Sequence, residues 1–369
     1  MHLFHKSGIR EIDFDLSKSD VKSLRRDWKK VAKNIPIFPN EFKGMGIVIC
    51  GGGVKYFTCA WVSIKYLRRI GCRLPIELWL IKDELTPSCI EQLSKLDVVC
   101  RNTNEYKDGF SISGWALKPF SIIKSSFEEV IFLDADNICL KNPEYLFSDI
   151  EYLKDGALFW PDYWRTAIDN PIWSILGLAY SESREQESGQ MVINKKKCWT
   201  PLNLTLFFNR AKDVYYKLVF GDKDTFRFSW SALKYNYCMI EQEPATCGYI
   251  DTFGSFKGIT MLQYDPIGEP CFLHRNLMKW DVTNEESFLW QKVKKFSAFS
   301  KEKSYISGYC HFNNHYFIDF LGDYEDIDFK IEFGEIESVC LGYLKSLRSK
   351  KFYLEFLLSE YIKRGYIKK

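Results

Sequence analysis

The chain lacks a charge imbalance, a long apolar run and any close pair of cysteines. Its 369 residues carry 51 lysines and arginines against 48 aspartates and glutamates, a net charge of +3. That balance offers no footprint for a polyanion, so no nucleic-acid partner is expected. No segment approaches the roughly 20 consecutive apolar residues that a membrane span needs. The opening stretch MHLFHKSGIREIDFDLSKSD is charged early and has no apolar core of the kind a secretory leader carries. The expected location is therefore cytoplasmic or otherwise non-secreted. None of the 12 cysteines forms a CxxC pair, which argues against a structural zinc site. Several lie inside apolar runs such as IVIC and NICL, where cysteine behaves as a small hydrophobe, so reduced core cysteines are expected. The one sequon, Asn203-Leu204-Thr205, carries little weight without a leader. There is no internal repeat and no low-complexity tract.

What the chain does have is apolar residues at 46% and aromatics at 17%, enough for a sizeable core. Residues 1 to 44 read as a polar arm that ends in the irregular NIPIFPNEFKGMG. GIVIC then reads as a buried strand running into Gly51, Gly52 and Gly53. YFTCAWVSIKYLRRIG has helical spacing and ends on Gly71, a C-cap. PIELWLI and DVVC read as strands on either side of the helix SCIEQLSKL, with Ser88 as its cap. ALKPFSIIKSS reads as a helix and EVIFLDADN as a fourth strand. Alternating strands and helices predict an α/β fold with a parallel sheet, and such sheets bind ligands at the carboxyl ends of their strands. After residue 150 the pattern turns irregular and aromatic.

Four D-x-D pairs occur, and only Asp134/Asp136 directly follows a buried strand. Carboxylates placed there cost desolvation unless something compensates them. Mg²⁺ or Mn²⁺ would do so, with substrate phosphates sharing the ion. Two chemistries use this arrangement: a metal-dependent transferase of nucleotide sugars, and a haloacid-dehalogenase-type phosphatase whose first Asp attacks phosphate. A third reading is a turn with an Asp cap. The phosphatase expects its D-x-D early in the chain, whereas this one follows three strand-helix units.

Further along, QESGQMVINK offers Glu187 and Gln190 to face a sugar's reacting carbon, with a small-residue entry that lets backbone approach a ligand. Asp224 and Arg227 of GDKDTFRFSW could hold sugar hydroxyls, and Asp224 could also cap a helix. In CFLHRNLMKW, His274 can complete a metal site begun by two carboxylates, and Lys279 can meet a diphosphate as a point charge. LFWPDYWRT sets Trp160, Tyr163 and Trp164 around Asp162 and Arg165, which suits either sugar rings or a core turn. His311 and His315 read as packing or surface residues.

These motifs together carry a resemblance. GIVICGGGVKYF, LRRIGCRLPIELW, KPFSIIKSSFEEVIFLDADN, LFWPDYW, ESGQMVINK and GDKDTFR keep their order and resemble the fungal α-mannosyltransferases of glycosyltransferase family 71, over roughly residues 44 to 280. HRNLMKW is similar to the closing element of retaining GT-A enzymes. The resemblance implies a GT-A type fold, a Rossmann-like mixed sheet flanked by helices. It implies an arm over 1–44, a single catalytic domain over 45–295 and a partly helical, basic extension over 296–369. It also implies a retaining transfer of a hexose, most simply mannose from GDP-mannose, with a UDP-sugar as the other donor, to a glycan or glycoprotein acceptor. Under it, Asp134, Asp136 and His274 bind Mn²⁺ or Mg²⁺, and Asp134 also touches ribose. Gly51, Gly52, Gly53 and Lys118 line the nucleotide pocket, Lys279 binds the diphosphate, and Asp224 and Gln190 hold the donor sugar.

Retention by double displacement would need a carboxylate near the anomeric carbon, and Glu187 and Asp224 are the candidates. Otherwise the acceptor attacks from the leaving-group face. Besides the transferase and the phosphatase, a non-catalytic sugar-binding protein on the same fold stays open. The tail LRSKKFYLEFLLSEYIKRGYIKK reads either as a helix packed on the domain or as a weak contact with an anionic membrane surface.

Overall fold

The computed structural model describes residues 1–106, 112–311 and 314–366. A hairpin of β1 (His2–Phe4) and β2 (Ile9–Ile12) opens the chain, turning at Gly8, whose φ of +79° favours glycine. In α1 (Lys18–Lys33), Ser17 caps the first turn by accepting from the Asp20 amide, and Trp28 is buried. The main sheet then builds from β3 (Met45–Cys50), α2 (Gly53–Arg69), β4 (Ile76–Leu80), α3 (Pro87–Ser94), β5 (Val98–Asn102), α4 (Leu117–Lys124) and β6 (Glu129–Asp134). The four strands lie in the order β6-β3-β4-β5, all parallel. Cys50 is in register with Asp134, so the glycine run and the D-x-D pair leave adjacent strands at the same edge of the sheet.

Glycine closes α2 as expected: Gly71, at φ +87°, follows the cap residue Ile70. The cap of α3 differs from expectation. Thr86, not Ser88, accepts from the Cys89 amide, and Pro87 takes the first turn, where a missing N–H is not needed.

Beyond β6 the sheet is no longer purely parallel. The chain passes through β7 (Asn137–Cys139), α5 (Ile150–Asp155), β8 (Ala157–Pro161), β9 (Arg165–Thr166) and α6 (Pro171–Leu176) to β10 (Gln186–Asn194). β10 inserts between β6 and β8 and runs antiparallel to both. Next come α7 (Lys195–Arg210), α8 (Lys212–Leu218), α9 (Lys223–Leu233) and the edge strand β11 (Cys238–Met239). The result is a seven-stranded mixed sheet, β11-β8-β10-β6-β3-β4-β5, with helices packed on it. The irregular reading after residue 150 has a physical cause. β8 ends in the aromatic Pro161 turn and β10 opens on the bulged polar stretch Gln186–Gln190, so neither is a clean apolar run like β3, β4 and β6, and the parallel strand-helix alternation stops here.

A second sheet holds β12 (Ala245–Ile250), β13 (Phe256–Tyr264), β14 (Pro270–His274), β15 (Lys292–Phe296), β16 (Lys303–Cys310), β17 (His315–Gly322) and β18 (Tyr324–Asp328). β14 pairs with β13 on one side and β7 on the other, which puts His274 opposite Asn137, next to the D-x-D turn. Trp160 and Tyr163 tie the sheets together: the indole N–H donates to Tyr264 O at 2.7 Å and the phenol to Ala245 O at 3.0 Å. With Trp164 they are buried, so LFWPDYW is a core turn and not an open sugar-stacking face.

Both ends of the chain pack on this body. β2 pairs with β9, and Trp28 of α1 donates to Ile175 O at 2.9 Å. After α10 (Phe329–Phe333), α11 (Ile336–Arg348) and α12 (Lys351–Lys363) lie on α2. Tyr353 and Phe356 of α12 sit 6.2 and 5.5 Å from the Phe57 ring, and the Tyr353 hydroxyl meets Thr58 Oγ1 at 2.7 Å. Each such buried ring contributes about 1.5–3 kcal/mol relative to exposure. The basic tail thus has one face spent on packing, while Leu354, Leu358 and Tyr361 point outward. No helix among the described residues is long and apolar enough to cross a membrane. The Asn203 sequon lies inside α7, with Thr205 buried and donating to Pro201 O.

Candidate active site

The D-x-D pair marks the end of β6. Asp134 is its last residue and about a quarter of the side chain is exposed; Asp136, in the following turn, is buried. The His274 imidazole faces both carboxylates through Nε2, 3.4 Å from Asp136 Oδ1 and 3.6 Å from Asp134 Oδ2. Its other nitrogen, Nδ1, lies 3.3 Å from Glu187 Oε1, an ion-pair approach and not an aligned hydrogen bond. Lys279 forms an ion pair with Asp136 Oδ2. Burial alone would raise the Asp136 carboxyl, but the Lys279 ammonium and His274 outweigh it and hold the group well below the usual range. Asp134 goes the other way, raised by burial against the pull of Lys118. Burial would lower His274, yet Asp136 and Glu187 push it up to about 10. Among the described residues, Asp134, Glu187 and His274 each offer a ligand atom within 4.8 Å of the others.

Lys118, buried on α4, anchors the opposite side. Its ammonium reaches Asp134 Oδ1 at 3.2 Å, Asp222 Oδ2 at 3.0 Å and Ser188 O at 3.0 Å. Burial would lower its pKa, and Asp134 and Asp222 more than reverse that. The three glycines lie beside these groups, at the start of α2. A Cβ on Gly51 would stand 2.6 Å from Leu78 Cδ1, and one on Gly52 only 1.9 Å from Glu84 Oε2, so close approach requires both.

Glu187, Ser188, Gly189 and Gln190 all belong to β10, where its pairing with β8 shifts register, and this bulge brings the segment to the site. Burial would raise Glu187, but His274 overrides it and holds the group down at about 2. Gly189 leaves room for the imidazole: a Cβ there would stand 2.4 Å from His274 Nδ1. Gln190 is fully buried below the turn, and its carboxamide oxygen accepts from Asn137 at 2.7 Å. Asp224 is also fully buried. It accepts from the Gln186 amide at 3.0 Å and pairs with Arg227 Nε at 2.5 Å. It does not cap α9, because Asp222 occupies the cap position and makes no side-chain cap bond. The structure thus gathers Asp134, Asp136, Glu187, His274, Lys118 and Lys279 into one cluster at the end of β6, with Gln190 and Asp224 fully buried close by.

Sequence reasoning missed the floor. Lys223 is ringed by Glu185 at 2.5 Å, Asp162 at 2.7 Å and Asp224 at 3.3 Å. Burial raises the Asp162 carboxyl to about 6 despite Lys223. Three charges in a row after Gly221 were the available signal. Also missed was the brace of the Lys279 loop. Arg275, buried, donates to Met278 O at 2.8 Å and Thr283 Oγ1 at 3.0 Å, and pairs with Glu337 of α11 at 3.4 Å. Arg348 at the end of α11 donates to Thr283 O at 2.8 Å and Asp281 O at 2.7 Å. The helix α11 therefore holds the loop that carries Lys279.

The donor set of carboxylate oxygens and one imidazole fits a hard divalent cation, and a cation among them would relieve the repulsion between Asp134 and Asp136. If His274 Nε2 binds that ion, Nδ1–H is left to face Glu187, the outer carboxylate arrangement common around metal-bound histidines.

A family model described as "Mannosyltransferase putative" matches residues 44–186 and 181–265. Alpha-1,2-mannosyltransferase MNN21 of Candida albicans is 30% identical over 315 residues, covering 68% of this chain and 47% of that protein. Alpha-1,2-mannosyltransferase MNN2 of Saccharomyces cerevisiae is 28% identical over 317 residues, covering 71% and 53%. The chain spans about half the length of the curated relatives it matches. Among solved structures, the galactosyltransferase LgtC in complex with donor and acceptor sugar analogues is 14% identical, with a TM-score of 0.37 over 52% of this chain and 72% of that one.

Proposed function

The chain belongs to the mannosyltransferase family whose model it matches, and from that premise we propose that it is a metal-dependent, retaining mannosyltransferase. It takes mannose from GDP-mannose and passes it to a hydroxyl of a mannose-containing glycan, as an α-1,2 linkage. The observation that carries this reading is the imidazole of His274 lying against both D-x-D carboxylates, with Lys279 on Asp136.

Asp134, Asp136 and His274 would hold Mn²⁺ or Mg²⁺. The bound ion supplies positive charge against the departing diphosphate. Lys279 reaches the same diphosphate by leaving Asp136, a short swing for an ammonium on a flexible stem. Gly51 to Gly53 admit the nucleotide close to backbone, beside Lys118. Glu187 orients His274. Asp224 and Gln190 support the donor sugar from below through Lys223, Arg227 and Asn137.

The same contacts bear on stereochemistry. A covalent route needs a free carboxylate on the far face of the anomeric carbon. Asp224 is tied to Arg227 and Lys223, and Glu187 to His274 and the Gly189 amide at 2.6 Å. With both engaged, attack by the acceptor hydroxyl from the leaving-group face, its proton passing to the diphosphate, is the simpler route.

The test is transfer by the full chain from GDP-mannose to an α-mannoside, with the product's anomeric configuration read by proton NMR. The α product, formed only with Mn²⁺ or Mg²⁺ and absent in Asp136→Ala, supports the reading. A β product, or turnover indifferent to metal chelation, refutes it.

A further inference from the structure

Arg10 belongs to the N-terminal strand β2, outside the residues matched by the family model, and yet it is fully buried. Its Nε donates to Glu185 Oε1 at 2.8 Å, and its Nη2 lies 2.7 Å from the same oxygen. Its Nη1 meets His2 Nδ1 at 2.9 Å and Leu218 O at 3.2 Å. The pairing of Arg10 with Thr166 across β2 and β9 fixes its place, and Thr166 Oγ1 donates to the same Glu185 oxygen at 2.8 Å.

Glu185 is the hub. Its other oxygen holds Lys223 at 2.5 Å, and the next residue begins β10, the strand that carries Glu187. Lys223 follows Asp222, whose carboxylate takes Lys118 at 3.0 Å and the Ser188 hydroxyl at 3.0 Å. Lys118 in turn reaches Asp134. The charged contacts therefore form two runs, Arg10–Glu185–Lys223 and Asp222–Lys118–Asp134, joined by the peptide bond between Asp222 and Lys223. The cluster also balances: Arg10, Lys223 and Arg227 face Glu185, Asp162 and Asp224, all buried. Removing one cation leaves an unmatched carboxylate in a low-dielectric setting, which is relieved by taking up a proton or by movement of the loop toward water. Lysine cannot replace the fork, because three partners in one plane need guanidinium geometry.

We propose that Arg10 is a positioning residue of the donor site, acting through Glu185 on the Asp222–Lys223 loop and so on Lys118. This rests on the transferase reading for its kinetic arm but not for its structural one.

The test compares the full chain with Arg10→Met and, should that variant fail to fold, Arg10→Lys, which keeps the charge and loses the fork. Hydrogen exchange read by mass spectrometry should rise at least threefold over residues 184–190 and 221–228, with residues 45–102 unchanged. For transfer from GDP-mannose, kcat should fall tenfold or more while KM changes less than threefold, with Arg10→Lys recovering only part of the loss. Unchanged exchange over 221–228 overturns the proposal, as does a rise spread evenly over the whole chain, which would mark a merely structural role. If the unaltered chain shows no transfer at all, the functional reading fails, and the exchange pattern still decides whether Arg10 holds the loop.

Discussion

His274 Nδ1 lies 3.3 Å from Glu187 Oε1 while Nε2 faces the D-x-D carboxylates. One ring thus joins a strand of the main sheet to the turn that ends β6. Under the proposed function Glu187 acts on the ion through His274, although its own oxygen also lies within ligand reach of Asp134 and His274. Glu187→Gln should then weaken Mn²⁺ binding by about 10–100-fold, the usual effect of losing such a partner. Titration of Mn²⁺ followed by electron paramagnetic resonance reads this directly. Unchanged affinity would remove Glu187 from that role.

Gly189 gives the same ring its space. In Gly189→Ala the added methyl would stand 2.4 Å from the imidazole, which must move. The expected result is a Mn²⁺ affinity lowered at least as much as in Glu187→Gln, with a loss of stability of about 1–3 kcal/mol from crowding the buried ring. Wild-type metal affinity in this variant would mean that the imidazole is not a ligand.

The Lys279 loop is clamped by Arg348 from α11 through the carbonyls of Thr283 and Asp281. Arg348→Ala frees these carbonyls and loosens the loop. Affinity for GDP should drop by roughly fivefold, the equivalent of about 1 kcal/mol, while Mn²⁺ affinity without nucleotide stays put. Calorimetry on the variant separates the two. A parallel loss of metal binding would show that the clamp acts on His274 instead.

Lys195 provides a pH signature far from the site. Buried against the Phe42 ring and bonded to Ile123 O and Ser125 O, its amine is pushed down to about 6 by burial. The unfolded chain binds this proton below about 10.4 and the folded chain only below about 6. Stability should therefore rise with pH across that window, and the contribution is lost as pH falls toward 6. Relative to Lys195→Met, the wild type should gain up to about 1.4 kcal/mol per pH unit in urea unfolding between pH 7 and 9. Parallel curves for the two proteins would show that Lys195 stays charged in the fold.

Much of this was legible in the sequence, for reasons that differ by residue. β3, β4, β5 and β6 are buried runs broken by helical spacing, so their order and Asp134's place at a carboxyl end could be read locally. His274 could be offered as a completing ligand from its residue type alone, but its placement against Asp136 could not be read locally, because 138 residues separate the two and nothing local joins β14 to β7. β8 and the full extent of β10 were not delimited, because β8 runs into the aromatic turn at Pro161 and β10 begins in the polar, bulged stretch Gln186–Gln190, so neither is a clean apolar run like β3 to β6. Thr86 displaced Ser88 as a cap because Pro87 fits the first helical turn. Of the floor, only the Asp222-Lys223-Asp224 run gave a local signal; the Arg10–Glu185 part was invisible, since that contact spans 175 positions and a lone arginine in a polar arm reads as solvated.

The central claim is that Asp134, Asp136 and His274 hold a divalent ion that binds a nucleoside diphosphate together with Lys279. Isothermal titration of GDP into the full chain, with Mn²⁺ present and then chelated, tests it most directly. The account predicts a one-to-one complex that needs the metal, prefers GDP over UDP and vanishes in Asp136→Ala. GDP binding of equal strength without metal, or no binding in either state, would contradict it.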